Sequence, residues 1–410
     1  MFLDFLKPKK DKRMWRSHSM RAEYDVVIIG GGLHGLSAAY FLARDYGIKN
    51  VAIIERRYIG YGGSGRNTAI VRSNQRSKEN VPLYDEGMKM WPVLVKELDY
   101  NLMFFNCGNL NLAHSEAEAA GLKMNVATAQ VMGVRSEFLT PEECKKLVPW
   151  LDISDRPKYP IVGAMFHPPG GTLRHDALVW ALARSVDQMG AHIHQLTEVT
   201  GIRVENGKAT GVQTDRGFIK ASTVLTAAGG YSAAVSALVG IDLPVSVLQI
   251  QAMVSEPLKP FLHHVVSSGR YHAYCHQSLK GEIVTGAHID PWPTYGTNVT
   301  ADYLKHQGET LIDFLPVMRN ARFMRVWGGL ADMSPDMAPI ISDSHIQGYF
   351  MDCGWGYFGF KSAPVTGKYV AKWIAEGKCP EILEPFKLNR FKQYILQKET
   401  GTVMYYTPWN

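Results

Sequence analysis

At 410 residues the chain is too long for one hydrophobic core, and its 46% apolar and 20% charged residues describe an ordinary globular protein, expected to hold two intimate domains. The net charge of +6 is modest and the basic residues are dispersed, which gives no reason to invoke nucleic acid. The five cysteines (Cys107, Cys144, Cys275, Cys353 and Cys379) stand far apart with no CxxC, arguing against a disulfide framework or zinc site and for a reducing, cytoplasmic setting.

The apolar start, "MFLDFL", is broken by Asp4 and reads as too short for a signal peptide. Lys7, Lys9, Lys10, Lys12, Arg13 and Arg16 then follow closely. Residues 1–22 therefore read as a solvated basic arm, with docking on a partner chain as the alternative. Later apolar runs are of strand length and end in glycine, so no membrane span is expected.

Tyr24 to Ile29 forms a continuous β-branched run, the pattern of a strand buried on both faces. Gly30, Gly32 and Gly35 then fit GxGxxG, Leu36 to Tyr46 reads as a helix, and Val51 to Ile54 as a second strand ending in Glu55. Gly30 permits a tight turn, Gly32 lets the backbone approach a pyrophosphate, and Gly35 lets the helix pack on the strand. The helix start offers free N–H groups to phosphates, and Glu55 is placed to accept ribose hydroxyls. A second glycine-rich stretch, "YIGYGGSGRNTAIVRSN", follows where a simple NAD dehydrogenase would have a short βα repeat, which points to FAD.

"LDYNLMFFNCGNLNLAHS" alternates like strands. "LTPEECKKLVP" announces a helix with Thr140 as cap, Pro141 in the first turn and Glu143 completing a capping box. Gly171 to Gly190 reads as a helix carrying His175 on its first turn, where the positive helix end biases imidazole toward its neutral form. Asn206-Gly207 marks a hairpin, and Val224 to Ala228 a buried strand ending in Gly229. "VSVLQIQAMVSEP" and "GRYHAYCHQSLKGEIVTGAHID" alternate as in an open antiparallel sheet. Here His288 is a candidate for polar support in a pocket, or equally a satisfied sheet histidine. Tyr349 to Asp352 reads as a strand, followed by Gly354, Gly356 and Gly359, then by Lys361 just before a helix over 363–375. A lysine beside a positive helix end is poorly placed for stability, which favours a role near the negative charge of a reduced flavin.

The resulting fold class is α/β: a Rossmann-like FAD-binding domain of the glutathione-reductase type and a second, mostly antiparallel substrate domain. The expected division is 23–80, 150–235 and 325–390 for FAD, 81–149 and 236–324 for substrate, and 391–410 as a tail.

The run of motifs "GGGLHGL", "IIER", "GGSGRNTAIVRSN", "GGTLRHDALVWALAR", "EVTGI", "LTAAGG", "WGGLADMSPDMAPII" and "CGWGYFGFKSAP" resembles the β subunits of heterotetrameric sarcosine oxidases, within the D-amino-acid-oxidase superfamily. N-methylglutamate dehydrogenase subunits share these motifs. The resemblance implies noncovalent FAD held by Gly30, Gly32, Leu33, His34, Gly35, Glu55 and Arg56, then by Ser64, Arg66, Asn67 and Thr68. It extends that contact to Val199, Gly229, Gly356, Gly359, Phe360 and Lys361. It implies that Arg72 and Lys361 pair with a substrate carboxylate, and that His175 bonds covalently to FMN at the interface with a larger α-type subunit, beside small γ- and δ-type subunits. The implied reaction is oxidation of a secondary N-methyl amino acid to an imine, giving formaldehyde or a folate adduct. The other readings are a non-oxygen acceptor, a stand-alone FAD amine or D-amino-acid oxidase, a flavin-binding but non-catalytic subunit, and an NAD-dependent dehydrogenase. Tyr357 and Phe358 stand where the sarcosine enzymes are expected to carry small residues.

Overall fold

The buried tetrad Val26–Ile29 is the centre of a six-stranded sheet in a computed structural model that describes residues 14–74 and 77–397. The order is Ile340–Asp343, Tyr349–Cys353, Thr223–Thr226, Val26–Ile29, Val51–Ile54 and His192–His194, with only the first of these antiparallel to its neighbour. Side chains alternate along each strand, so Val26 and Ile28 join one core and Val27 and Ile29 another. Both faces are covered, which is why the strands read as unbroken apolar runs. Helices Leu33–Tyr46, His175–Met189 and Gly359–Glu376 contribute to the first core, and the three-stranded sheet of Val199–Glu205, Lys208–Thr214 and Gly217–Lys220 to the second. Gly367 lets two of these helices touch, because a Cβ there would collide with Ser37.

The second sheet has eight strands in the order Phe323–Met333, Ser246–Pro257, Glu282–Ile289, Ala273–Gln277, Val265–Ser268, Asn109–Ala113, Gly163–His167 and Glu137–Leu139. It is antiparallel except where Val265–Ser268 meets Asn109–Ala113. Gly163–His167, expected with the FAD-binding residues, pairs in this sheet instead. Thr140 caps Pro141–Leu147 with the reciprocal Glu143 bonds of a capping box. Asn206 and Gly207, at φ 52° and 74°, make the two-residue turn the hairpin needs.

Two boundaries differ from expectation. The helix expected from Gly171 starts at His175, because Gly171–Thr172 pairs as a strand with Ile70–Val71. The last helix starts at Gly359, so Lys361 lies inside its first turn rather than before it. The described part of the basic arm stays largely exposed, as expected of a solvated arm, but it is anchored to the fold at three residues. Arg16 pairs with Asp187 at 3.0 Å, His18 meets the same carboxylate at 2.6 Å and stacks on His192 at 4.0 Å, and Trp15 packs against the first core. Lys7, Lys9, Lys10, Lys12 and Arg13 lie outside the described residues. The tail is described to residue 397, where the backbone N–H of Gln397 donates to Asp336, a carboxylate already paired with buried Arg390. No described helix is long and apolar enough to cross a membrane.

Candidate functional site

A cavity of about 1040 Å³ lies between the two large sheets, and three glycine-rich segments line it. The first is the turn into helix Leu33–Tyr46. Gly30 sits at φ 118° with Ala227 so close that a Cβ would collide with its carbonyl, and a Cβ on Gly35 would collide with the carbonyl of Gly30. Gly35 therefore serves helix–strand packing and does not line the cavity, whereas Gly30, Gly32, Leu33 and His34 do. The helix has no side-chain cap and no acid in its first turn. One start N–H, that of Leu33, donates to Ser64 Oγ at 2.8 Å. Glu55, also on the cavity, accepts the N–H of Gly31 at 2.9 Å and of Arg57 at 2.7 Å, leaving acceptor sites for hydroxyls. An uncapped helix start, bare backbone and a fixed carboxylate fit the pyrophosphate and ribose of FAD.

The second segment supplies Ser64, Arg66, Asn67 and Thr68. Arg66 donates to the carbonyls of Tyr61 and Gly328, at 3.0 and 2.9 Å, and Asn67 bridges the carbonyl of Ser64 to the N–H of Ala69. These bonds set the shape of the loop. Gly229 also lines the cavity. Arg56 stands outside the lining, 4.0 Å from the ring centre of Tyr231, which is in it. Val199 does not line the cavity, because it belongs to the three-stranded sheet.

The third segment brings Gly356, Gly359, Phe360 and Lys361. The helix it starts also lacks a side-chain cap and a first-turn acid. Lys361 is buried and donates to the carbonyl of Tyr357 at 3.2 Å. Burial, with the Arg72 charge nearby, holds its pKa well below the ordinary lysine range. Arg72 reaches the same place from the strand Ile70–Val71 and donates to both oxygens of Asn74 at 3.1 Å. The two side chains meet at one ring: Lys361 Nζ is 5.1 Å and the Arg72 guanidinium carbon 5.9 Å from the centre of Phe358.

A buried ionic cluster joins the first and third segments. His34 sets Nδ1 against Asp352 at 2.9 Å and Nε2 against the carbonyl of Gly359 at 2.9 Å. Burial opposes its charge, but the Asp352 carboxylate outweighs it and raises the His34 pKa. Trp355 Nε1 donates to Asp352 at 2.6 Å, and Asp332 accepts the N–H of Gly354 at 2.6 Å. Burial pushes Asp332 up to about 6. Sequence reasoning missed Asp332 and Asp352, and also His272, whose Nε2 meets the Tyr357 hydroxyl at 3.0 Å on the cavity wall. For Asp352 the signal available was its place near the end of a strand that leads into Gly354, whereas Asp332 and His272 carry no such mark.

His288 is not among the residues of the cavity wall. Its neighbours Ala287 and Ile289 line the cavity, so strand alternation turns His288 to the other face, against Tyr303 and 4.7 Å from His306. His175 also lies outside the cavity. Burial, reinforced by Arg174 and Arg325 and opposed by Asp176, lowers its pKa and keeps the imidazole neutral. Among the described residues no cluster of His, Cys, Asp or Glu could hold a metal.

Residues 25–373 match the family model described as FAD dependent oxidoreductase, and the chain belongs to that family of enzymes. It is similar to proteins named sarcosine oxidase subunit beta: 41% identical to that of Rhizobium meliloti over 94% of this chain and 93% of the relative. The corresponding protein of Rhodobacter capsulatus is 40% identical over 93% and 92%. Among solved structures, L-proline dehydrogenase from P. horikoshii superposes with a TM-score of 0.87 at 29% identity, covering 92% of this chain and all (100%) of that one. Glycine oxidase from Geobacillus kaustophilus gives 0.82 at 25% identity, covering 90% and 99%.

Proposed function

We propose that this chain is the FAD-bearing subunit of an assembly that oxidises a secondary N-methyl amino acid such as sarcosine. The observation that carries the reading is the pair Arg72 and Lys361 around Phe358, in a cavity that also receives two uncapped helix starts. Gly30, Gly32 and Glu55 would hold the dinucleotide, and the Ser64–Thr68 loop, Gly356 and Gly359 the flavin end. When bound, FAD accepts a hydride from the carbon next to the amine. The planar guanidinium of Arg72 takes the substrate carboxylate bidentately and Lys361 adds a point charge. Fixing the carboxylate there would orient the N-methyl group toward the flavin end of the cavity. The helix start at Gly359 and its lysine favour negative charge at that end of the cavity. The amine reacts neutral, and no dedicated base is assigned. The six-stranded sheet serves the cofactor and the eight-stranded sheet roofs the substrate.

The imine product yields formaldehyde or a folate adduct. His175 would hold a covalent FMN at an interface with a larger α-type subunit, beside smaller subunits, in the cytoplasm, and that group would supply the next electron acceptor. The neutral imidazole supports that tether, because only the neutral form is a nucleophile. A longer N-methyl amino acid such as N-methylglutamate is favoured by one observation: Arg270 also lines the cavity and offers a cation to a second carboxylate.

The test is the native complex, its visible spectrum and its turnover on a panel of N-methyl amines, with Lys361→Met beside wild type. Flavin kept and turnover lost is expected. Turnover untouched by Lys361→Met would sink the catalytic reading. An unmodified His175 peptide from active complex would remove the tether alone.

A further inference from the structure

Ser73 follows Arg72 and turns the other way. Arg72 lines the cavity, whereas Ser73 is buried away from it, 1% exposed, against the equally buried His167 at the end of a strand of the other sheet. The backbone N–H of Ser73 donates to His167 Nε2 at 3.2 Å, and its hydroxyl lies 3.4 Å from the same nitrogen and from Asp85 Oδ1. On the far side of the ring, Nδ1 lies 2.8 Å from the carbonyl of Arg135. A carbonyl only accepts, so Nδ1 carries the proton and Nε2 is left as the acceptor. The same strand end then leads into Gly171–Thr172, which pairs with Ile70–Val71 just before Arg72. The loop bearing Arg72 is thus held by a short ladder on one side of the arginine and by one imidazole on the other.

We propose that His167 is a positioning residue for substrate binding: as a neutral imidazole it pins the Ser73 backbone and so aims the Arg72 guanidinium at the carboxylate. The inference rests on Arg72 being the carboxylate anchor. A protonated ring would lose its acceptor and place a second cation toward Arg72. The charged groups facing His167 are Arg72 and Asp85, the latter already paired with Lys89 at 2.6 Å. Burial, the larger cause, and the Arg72 charge keep His167 neutral by lowering its pKa to about 4.

The experiment uses the flavin-loaded complex, with acetate as a probe read by the flavin absorbance change and sarcosine as substrate. His167→Leu removes the acceptor. The expected result is a rise of about tenfold in the acetate Kd and the sarcosine KM, with kcat and flavin content close to wild type. His167→Gln, whose side-chain oxygen reaches Ser73, restores most of the affinity. An unchanged Kd in His167→Leu overturns the proposal, as does a Gln variant no better than Leu, which would mean that packing alone matters. If His167→Leu yields no flavin-loaded protein, His167→Asn, too short to reach Ser73, is compared with Gln under the same criteria. Arg72→Met separates the two ideas. If it leaves acetate binding unchanged, the anchor reading itself fails and the pin fails with it. If it weakens binding while the His167 variants do not, only the pin is wrong.

Discussion

Helix starts in the two halves of the molecule are built differently. Three that serve the eight-stranded half carry side-chain caps, from Ser115, Thr140 and Thr300. The two that reach the cavity, after Gly32 and after Phe358, have neither a cap nor a first-turn acid. A cap satisfies orphan N–H groups with the chain's own oxygen, while a start without one leaves more of them for a ligand's, although Ser64 Oγ takes that of Leu33 at the first. The two uncapped starts differ in turn. One meets the cavity as bare glycine backbone, the other adds buried Lys361.

The contrast breaks most sharply at the first start. Gly30→Ala adds a Cβ against the Ala227 carbonyl at a φ that disfavours side chains, so the purified chain should carry almost no flavin in its visible spectrum. Full flavin content would mean the turn is not a cofactor cradle. At the second start, Lys361→Met or Arg72→Met should keep flavin and lower kcat/KM by roughly 30- to 5000-fold, the ~2–5 kcal/mol of a broken buried charge contact. Arg72→Lys should recover only part of this.

The same lysine predicts a pH effect. Its pKa is depressed, so the charged form that attracts a carboxylate is lost as pH rises through a value well below the ordinary lysine range. Carboxylate Kd, measured by flavin titration, should rise over that interval and be flat in Lys361→Met. Asp332 has the opposite sign. Its pKa is raised from 3.8 to about 6, so the fold binds this proton more tightly than the unfolded chain does. Its contribution falls as pH rises between those two values, by on the order of 1–3 kcal/mol. Asp332→Asn keeps an acceptor for Gly354, and the fall in Tm across that interval should flatten. The smallest effect belongs to a capped start: Thr140→Ala should cost about 1 kcal/mol in denaturant unfolding and leave flavin and turnover alone.

The fingerprint turn was legible because its requirement is steric and local. Gly30 and Gly35 are dictated by atoms within the motif's own strand–helix unit and one neighbouring strand. The Thr140 capping box and the Asn206-Gly207 turn were legible for the same reason. The last helix, expected over 363–375, starts at Gly359, inside a glycine-rich stretch where propensity gives no helix signal, and Pro364 within it leaves the Phe360 carbonyl without an N–H. His288 was misplaced because alternation gives a face only when the register is known. The His34–Asp352 contact spans 318 positions, and no local pattern encodes it. The basic run suggested solvent, but the residues that dock the arm, Trp15, Arg16 and His18, lie at or beyond its edge.

That docking has a practical consequence. Arg16 and His18 hold Asp187, near the last turn of the helix whose first residue is His175. The helix has 15 residues, so its two ends are about 22 Å apart. The described arm residues therefore mark the end of that helix remote from His175. A label at exposed Ser17, between the two docking residues, should therefore leave the His175 surface clear when partners are sought.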